Sequence, residues 1–559
     1  MKISGIATAV ATALFMAGAA HAATTAVKIV AFNDFHGNMQ SPGAANGASA
    51  AGGVDVMAAY VNRLKQQNPA TIVVSAGDLI GASPLISALF HDEGTIETMN
   101  RLGLDFNAVG NHEFDDGRVE LLRMQNGGCH PTDANTCQGS LVGTPVPFEG
   151  AKFKFLSANV VDSATGQTLF APYGIKVVNG VRVGFIGLTL KDTPTIVTPS
   201  GVAGLTFLDE VQTINAAVPK LRARGVETII VLLHQGGASG GLNTCSAGTG
   251  GAVGAIVRGL DNAVDAVISG HSHSLFNCTL PNSAGRNIPV TQASSAGKIL
   301  TDLNLTIDTT TGDVIAAVAS NIVVDRNAAG IVPDATIAGI VNGYSNLVAP
   351  LANAVVGSVA ASTPGGNFIA DSQWAATSAA QFGGAEFAMM NPGGVRSPGS
   401  FGTPPYPHDV TYAEAFTIQP FGNSLVTMTL TNQQIRNVLE QQFRNCLGQT
   451  AGAILNVSSG MHYTYRNGNA CGQRIVDGTI NGVSFVSNGV VLDPTATHRV
   501  TVNNFLATGG DGFTALTAGT NLLGGAQDID AAVAYFSNFK APNPPFDPST
   551  LGTRVQRLD

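Results

Sequence analysis

The chain has 559 residues, of which 44% are hydrophobic and 12% charged, and its formal net charge is −9. That length exceeds one compact core and implies two large domains. The acidic balance, with no run of Lys or Arg, excludes nucleic-acid binding through a basic face but not binding of small anions at a local field.

Lys2 precedes an apolar, small-residue stretch over 3–20, and Ala20-His21-Ala22 offers an A-x-A cleavage site. Residues 1–22 therefore read as a secretory signal peptide. An uncleaved anchor is the alternative, but the stretch is short and has no stop-transfer flank. The expectation is an exported protein, periplasmic or extracellular, without stable membrane insertion. Six cysteines follow: Cys129, Cys137, Cys245, Cys278, Cys446 and Cys471. None shows C-x-x-C spacing, so three structural bridges between sequence neighbours are favoured among the 15 pairings that six cysteines allow.

From Val27 to about Val324, β-rich runs ("VKIVAF", "TIVVSAG", "FNAVG", "VRVGFIGL", "ETIIVLLH", "DAVISG") alternate with helix-like segments such as "GVDVMAAYVNRLKQQ" and "DEVQTINAAVPKLRARG". The rhythm is that of an α/β domain with a largely buried sheet. Gly/Ala/Ser-rich loops are expected at 41–53 and 235–254. The boundaries expected are a first domain over 23–327, a linking helix within 328–356, and a second α/β domain over 357–559. In the latter, 431–443 ("TNQQIRNVLEQQF") is the clearest amphipathic helix, with Thr431 as its N-cap.

Five apolar runs in the first domain end in potential ligands: Asp34 and His36; Asp78; Asn111 and His112; His234; and His271 and His273. Each alone reads as a turn or a structural histidine. Together they fit a crevice beyond the carboxyl ends of strands, where α/β sheets bind ligands. The set exceeds what one four-coordinate ion needs, and a carboxylate shared between two cations accounts for the surplus. The stretch "VGNHEFDDG" is not a zinc-protease helix, because the position three after Glu113 is Asp116 rather than His.

In order, D-x-H, G-D-x-x-G, G-N-H-E, a strand-end His and G-H-x-H resemble the calcineurin-like metallophosphoesterases. The whole chain is similar to the secreted 5′-nucleotidase family, which includes periplasmic UDP-sugar hydrolases. The resemblance implies a metallophosphoesterase domain of α/β/β/α layers followed by a C-terminal α/β substrate-binding domain. It implies two divalent ions (zinc, manganese, cobalt or similar), one held by Asp34, His36, Asp78 and His273. The other would be held by Asp78, Asn111, His234 and His271, with Asp78 bridging. His112 would be catalytic and oriented by Asp115, whose plainer reading is a helix N-terminal carboxylate; Glu113 receives no role. Because His234 and His273 would approach one metal pair, the loops after them should meet, which suggests a Cys245–Cys278 bridge.

In the second domain "NPGGVR", "PFGN", "NVSSG" and "NNFLATGGDGF" resemble the family's substrate stretches. By that resemblance Phe421 and Phe505 would sandwich a nucleobase, with Asn391, Asn423 and Gly460 nearby. Asp511 would take the ribose hydroxyls and Arg396 the phosphate. Ala361 and Gly365 stand where the family's further arginines are expected, leaving Arg396 as the one identifiable basic contact. The leading expectation is a phosphohydrolase acting on nucleotides or related phosphate esters as small-molecule partners. A 2′,3′-cyclic nucleotide or nucleotide-sugar hydrolase on the same metals is the runner-up. A nucleoside-binding or adhesion protein on the scaffold is the alternative of another class, and it would predict lost ligands where none is lost. Oligomeric state is not readable.

Overall fold

The computed structural model describes residues 23–197, 200–245 and 251–559. The expected signal peptide lies outside the described residues. Five strands carry the first domain's ligand loops: β1 (Thr24–Phe32), β2 (Thr71–Ser75), β3 (Phe106–Ala108), β4 (Thr228–His234) and β5 (Val264–Ser269). Runs such as "TIIVLLH" are buried throughout, as strands covered on both faces must be.

These five strands do not share one sheet. β1, β2 and β3 pair in parallel within a six-stranded sheet, and β4 pairs in parallel with β5 in a second six-stranded sheet. The two sheets face each other across a core of Ile29, Ile72 and Val74 on one side and Phe185, Ile230, Leu232 and Ile268 on the other. Each such side chain, fully buried, contributes about 1.5–3 kcal/mol. Helices cover the outer faces: α1 (Val54–Gln67), α2 (Glu93–Leu102) and α3 (Gly117–Asn126) on the first sheet, α4 (Glu210–Arg222) and α5 (Ala252–Gly259) on the second. The result is the expected α/β/β/α arrangement. Part of the Gly/Ala-rich 41–53 stretch differs from the loop expected there, folding as a small hairpin of Gly43–Ala45 on Ala48–Ala51.

Helix α6 (Ala335–Ala352) begins at Asp334, whose carboxylate accepts from the amides of Thr336 and Ile337, the usual remedy for unpaired first-turn N–H groups. It packs on the first domain through Tyr344, which is fully buried, meets the Phe90 ring at a tilted 4.9 Å and donates to Glu97 Oε2 at 3.0 Å. The ring lies so close to α2 that a Cβ on Gly94 would be 2.8 Å from it.

The second domain holds a five-stranded sheet that includes β6 (Phe387–Met390), β7 (Ser424–Thr431) and β8 (Thr497–Asn503), with a second five-stranded sheet beside it. Helix α7 (Gly365–Thr377) packs against β6, and α8 (Asn432–Glu440) follows β7. Thr431 caps α8 in a full capping box with Gln434. The cysteines pair as neighbours: Cys129–Cys137, Cys245–Cys278 and Cys446–Cys471. Among the described residues, no helix is long and apolar enough to cross a membrane.

Burial raises Glu97 from the usual 4.5 to about 7. A carboxyl whose pKa is raised on folding adds stability that is complete below about 4.5 and lost as pH rises through about 7. Chemical denaturation at pH 4.5 and pH 8 should therefore show wild type losing up to about 3 kcal/mol relative to Glu97→Gln. An unchanged difference between the two proteins would contradict this.

Candidate metal centre and substrate cavity

The parallel pairing of β1 with β2 and β3, and of β4 with β5, places their C-terminal ends at one end of the sandwich. There the predicted ligands converge in two groups, Asp34 with His36 and His273, and Asp78 with His234 and His271. Within each group the ligand atoms lie within 4.8 Å of one another. Asp78 Oδ2 lies 3.0 Å from His234 Nε2 and 3.7 Å from His36 Nε2, so its carboxylate stands between the groups. Asn111 Oδ1 is 3.1 Å from His234 Nε2 and 3.0 Å from His271 Nδ1. His36 Nε2 and His273 Nε2 approach to 3.1 Å. All seven predicted metal-binding residues are thus brought together.

Local backbone geometry explains how short loops deliver so many donors. Asp34, His36, Asp78, His271 and His273 all have positive φ between 48° and 71°. Non-glycine residues rarely adopt that conformation, which costs on the order of 1–3 kcal/mol each and concentrates at functional sites. Close packing adds a second constraint, since a Cβ on Gly110 would fall 2.2 Å from Asp78 Oδ1. Two of the four ligand rings are fixed by carbonyls: His36 Nδ1 by Gly81 at 2.8 Å and His234 Nδ1 by Ala76 at 2.8 Å. That is how ligating histidines are oriented, with the opposite nitrogen left toward the metal.

The electrostatics fit a cation at this place. Burial raises the Asp34 carboxyl to about 7. Burial also works against the Asp78 charge, yet His234 and His112 more than offset it and hold the carboxyl well below its usual range. Burial lowers His271 to about 3 and His273 to about 4, keeping both imidazoles neutral, whereas at His234 burial is outweighed by Asp78, which raises the ring to about 9, a proton that a cation there would displace. Neutral imidazoles, carboxylates and an amide oxygen are the donor types that borderline divalent ions take.

His112 stands beside this cluster with Nδ1 2.8 Å from Asp115 Oδ2. Its ring stacks on Phe421 of the second domain at 5.8 Å, and the Arg396 guanidinium lies 5.6 Å from the same phenyl ring. Asp78, Asp115 and Asp34 are the charges acting on Arg396, so this second-domain cation faces the first domain's ligand loops. A cavity of about 280 Å³ runs from Asn111, His112 and His271 to Arg396, Phe421, Phe505 and Asp511. Asn391 and Asn423 also line it. Asn391 Nδ2 donates to Asp511 Oδ2 at 2.7 Å, and Asn503 Nδ2 donates to Asn391 Oδ1 at 3.2 Å. Gly460 is not on this wall. It turns between two strands, and a Cβ there would be 2.5 Å from the Glu386 carbonyl.

Sequence reasoning missed four contributors. Ile196 and Val197 bring an apolar wall from the first domain, and Asn503 lines the cavity beside Asn391. The first two carry no motif of their own, and Asn503 opens the stretch "NNFLATGGDGF", in which only Phe505 and Asp511 carry an expected role. The fourth is Glu113, which is 3% exposed and accepts from the amides of Asp78 (3.0 Å), Leu79 (2.8 Å) and Gly110 (2.6 Å) and from Asn107 Nδ2 (3.2 Å). One carboxylate thereby ties the β2 loop to the β3 loop. A charge pattern shows that Glu113 is acidic but not that its partners are backbone amides.

Glutamine at 113 keeps the shape but turns an NH₂ toward some of those donors. Hydrogen bonds to a charged group contribute about 1.5–3 kcal/mol each. Glu113→Gln should weaken metal binding by about 10–100-fold, as loss of outer-shell support does. Metal titration with an unchanged dissociation constant would contradict that.

Comparison with known proteins agrees with this architecture. Residues 27–275 match the model of the calcineurin-like phosphoesterase family, and residues 348–518 match that of the 5′-nucleotidase C-terminal domain. The chain is 30% identical to the endonuclease YhcR of Bacillus subtilis over 92% of its own length, but spans only 40% of that relative. It is 26% identical to the 5′-nucleotidase of Homo sapiens over 92% of this chain and 88% of that one. A 5′-nucleotidase precursor from Thermus thermophilus superposes with a TM-score of 0.75 and 28% identity, over 96% of this chain and all of that one. The chain belongs to the 5′-nucleotidase family of metal-dependent phosphoester hydrolases, in which a calcineurin-like phosphoesterase domain is joined to a 5′-nucleotidase C-terminal domain.

Proposed function

We propose that this chain is an exported two-metal phosphohydrolase that releases phosphate from nucleotides or nucleotide-like esters. The observation that carries this reading is the single cavity lined by Asn111, His271 and His112 of the first domain and by Arg396, Phe421, Phe505 and Asp511 of the second. Asp34, His36, Asp78 and His273 would hold one divalent ion. Asp78, Asn111, His234 and His271 would hold the second. When bound, such a pair supplies positive charge for the phosphoryl oxygens and acidifies water at neutral pH.

The chain's own groups supply the rest. Arg396 meets the phosphate with a charge-assisted contact and keeps it beside the ligand loops. Asp115 Oδ2 accepts a hydrogen bond from His112 Nδ1, leaving Nε2 to carry the proton that the leaving oxygen needs. Such general acid catalysis contributes about 10²–10⁴-fold. Phe421 and Phe505 offer aromatic faces to a base at roughly 1–3 kcal/mol per stacking contact. The free oxygen of Asp511 accepts from the ribose hydroxyls while Asn391 holds the other. Export is supported by the three disulfides, which persist in oxidising compartments.

One observation favours a second reading. Arg396 is the one Lys or Arg among the residues lining the cavity, which suits substrates of lower phosphate charge, such as 2′,3′-cyclic nucleotides or nucleotide sugars. Phosphate release from AMP, UDP-glucose and 2′,3′-cyclic AMP, the last two with added phosphatase because their first hydrolysis yields only monoesters, separates the two when run with several divalent metals. Asp78→Ala should abolish turnover of all three. Substantial residual activity in that variant would sink the shared-site reading, whereas turnover of AMP alone would remove the second.

A further inference from the structure

A second set of metal-ligating side chains lies behind the His112–Asp115 pair, outside the site described above. His91, Glu120 of α3 and His130 each bring a ligand atom within 4.8 Å of the others. His91 Nε2 is 3.0 Å from Asp133 Oδ2, which makes it the protonated nitrogen of the ring. His91 Nδ1 is buried, has no hydrogen-bond partner, and lies 3.5 Å from both Asp116 Oδ2 and Glu120 Oε1.

Those distances are informative. N–H···O hydrogen bonds cluster at about 2.7–3.2 Å, so 3.5 Å is long for a proton shared between Nδ1 and either carboxylate. Two ligands bound at about 2.1 Å to one tetrahedral ion stand roughly 3.4 Å apart. The Nε2–Asp133 contact is also the carboxylate–histidine pairing that orients a ligating imidazole. Arg123 holds both oxygens of the Glu120 carboxylate, Oε2 through Nε at 2.8 Å and Oε1 through Nη2 at 2.6 Å, so a cation would share Oε1 with it. Next to these groups is a void of about 20 Å³ lined by His91, Asp92, Asp115, Asp116 and Glu120. A void of about 10–15 Å³ already holds one water, so a small cation fits.

We propose that His91 Nδ1, Glu120 and Asp116, with His130 as a fourth arm, form a structural site for one divalent cation of the zinc class. Mixed imidazole and carboxylate donors suit that class. His130 is the weaker arm: its ring stacks on that of His91 at 4.7 Å and 23°, so it must turn to aim an in-plane lone pair at the same ion, and its Nδ1 accepts from the amides of Asp133 and Thr132 at 3.1 and 3.4 Å. Ligation through its Nε2 therefore requires the ring proton to change nitrogen. The cation would join the Cys129–Cys137 loop, which carries His130 and Asp133, to the start of α3. That helix start follows Asp115 by two residues, so the site braces the segment that bears the catalytic pair. The competing occupant is a proton, because Asp116 and Glu120 also raise an imidazolium here, to about 10.

Elemental analysis of full-length protein, stripped with chelator and reloaded with Zn²⁺, separates the two. The background is Asp78→Asn, which weakens the first cluster without touching this one. His91→Asn suits the left-handed φ of 51°, and Glu120→Gln keeps the side-chain length. Each should bind one zinc fewer than its parent and lose the zinc-dependent rise in Tm. His130→Ala should keep the stoichiometry with about tenfold weaker affinity, in line with a secondary contact. If His91→Asn does not fold, Glu120→Gln decides the matter. Equal zinc content in parent and variant would overturn the proposal and leave His91 a histidinium.

Discussion

Two carboxylates that are almost wholly buried, Asp34 and Asp78, face four imidazoles at the shared end of two β-sheets. Burying such charge is costly unless it is paired or coordinates a metal, and the first domain is organised around meeting that condition. Parallel strands bring the ligand loops to one end. Left-handed turns aim the side chains inward. Carbonyls at Ala76 and Gly81 fix two of the rings, and Glu113 clamps two of the loops together. Each of these devices is unfavourable or neutral alone and makes sense only as support for the donor cluster.

The second domain completes what the first cannot provide. The ligand cluster lies among short polar loops and has few apolar surfaces of its own for a substrate. Phe421, Phe505, Asp511 and Arg396 come from the other domain, and the cavity exists because the two domains meet at His112. Helix α6 is anchored to the first domain by Tyr344 and Glu97, and Tyr412, Ala413 and Phe416 of the second domain pack against the same core, so that helix is shared between the two domains. Ile196 and Val197 show that the first domain also shapes the far end of the cavity.

Much of the metal centre was legible because ligand chemistry restricts residue type. Aspartate, histidine and asparagine at strand ends, with glycines beside them, leave few other readings once five such groups occur in order. The alternation of buried strands and helices indicated an α/β domain, the resemblance supplied its layers, and the cap at Thr431 follows from local hydrogen bonding. The division of the five strands between two sheets was not legible, because a buried strand carries no mark of its partner. Nor was the Glu113 clamp, since its partners are backbone amides. The cavity was partly legible: its aromatic and charged residues lie in recognisable turns, whereas Ile196 and Val197 become wall residues only through tertiary packing. Gly460 was placed by resemblance, and the fold sets it in a turn off the cavity wall.

The central claim is that Asp78 is shared by two cations. Anomalous diffraction from crystals grown with Mn²⁺ tests it directly. Two peaks about 3.5–4 Å apart are expected, flanking Asp78, one beside Asp34 and His36 and the other beside Asn111 and His234. A single peak, or two peaks that do not share Asp78, would contradict it.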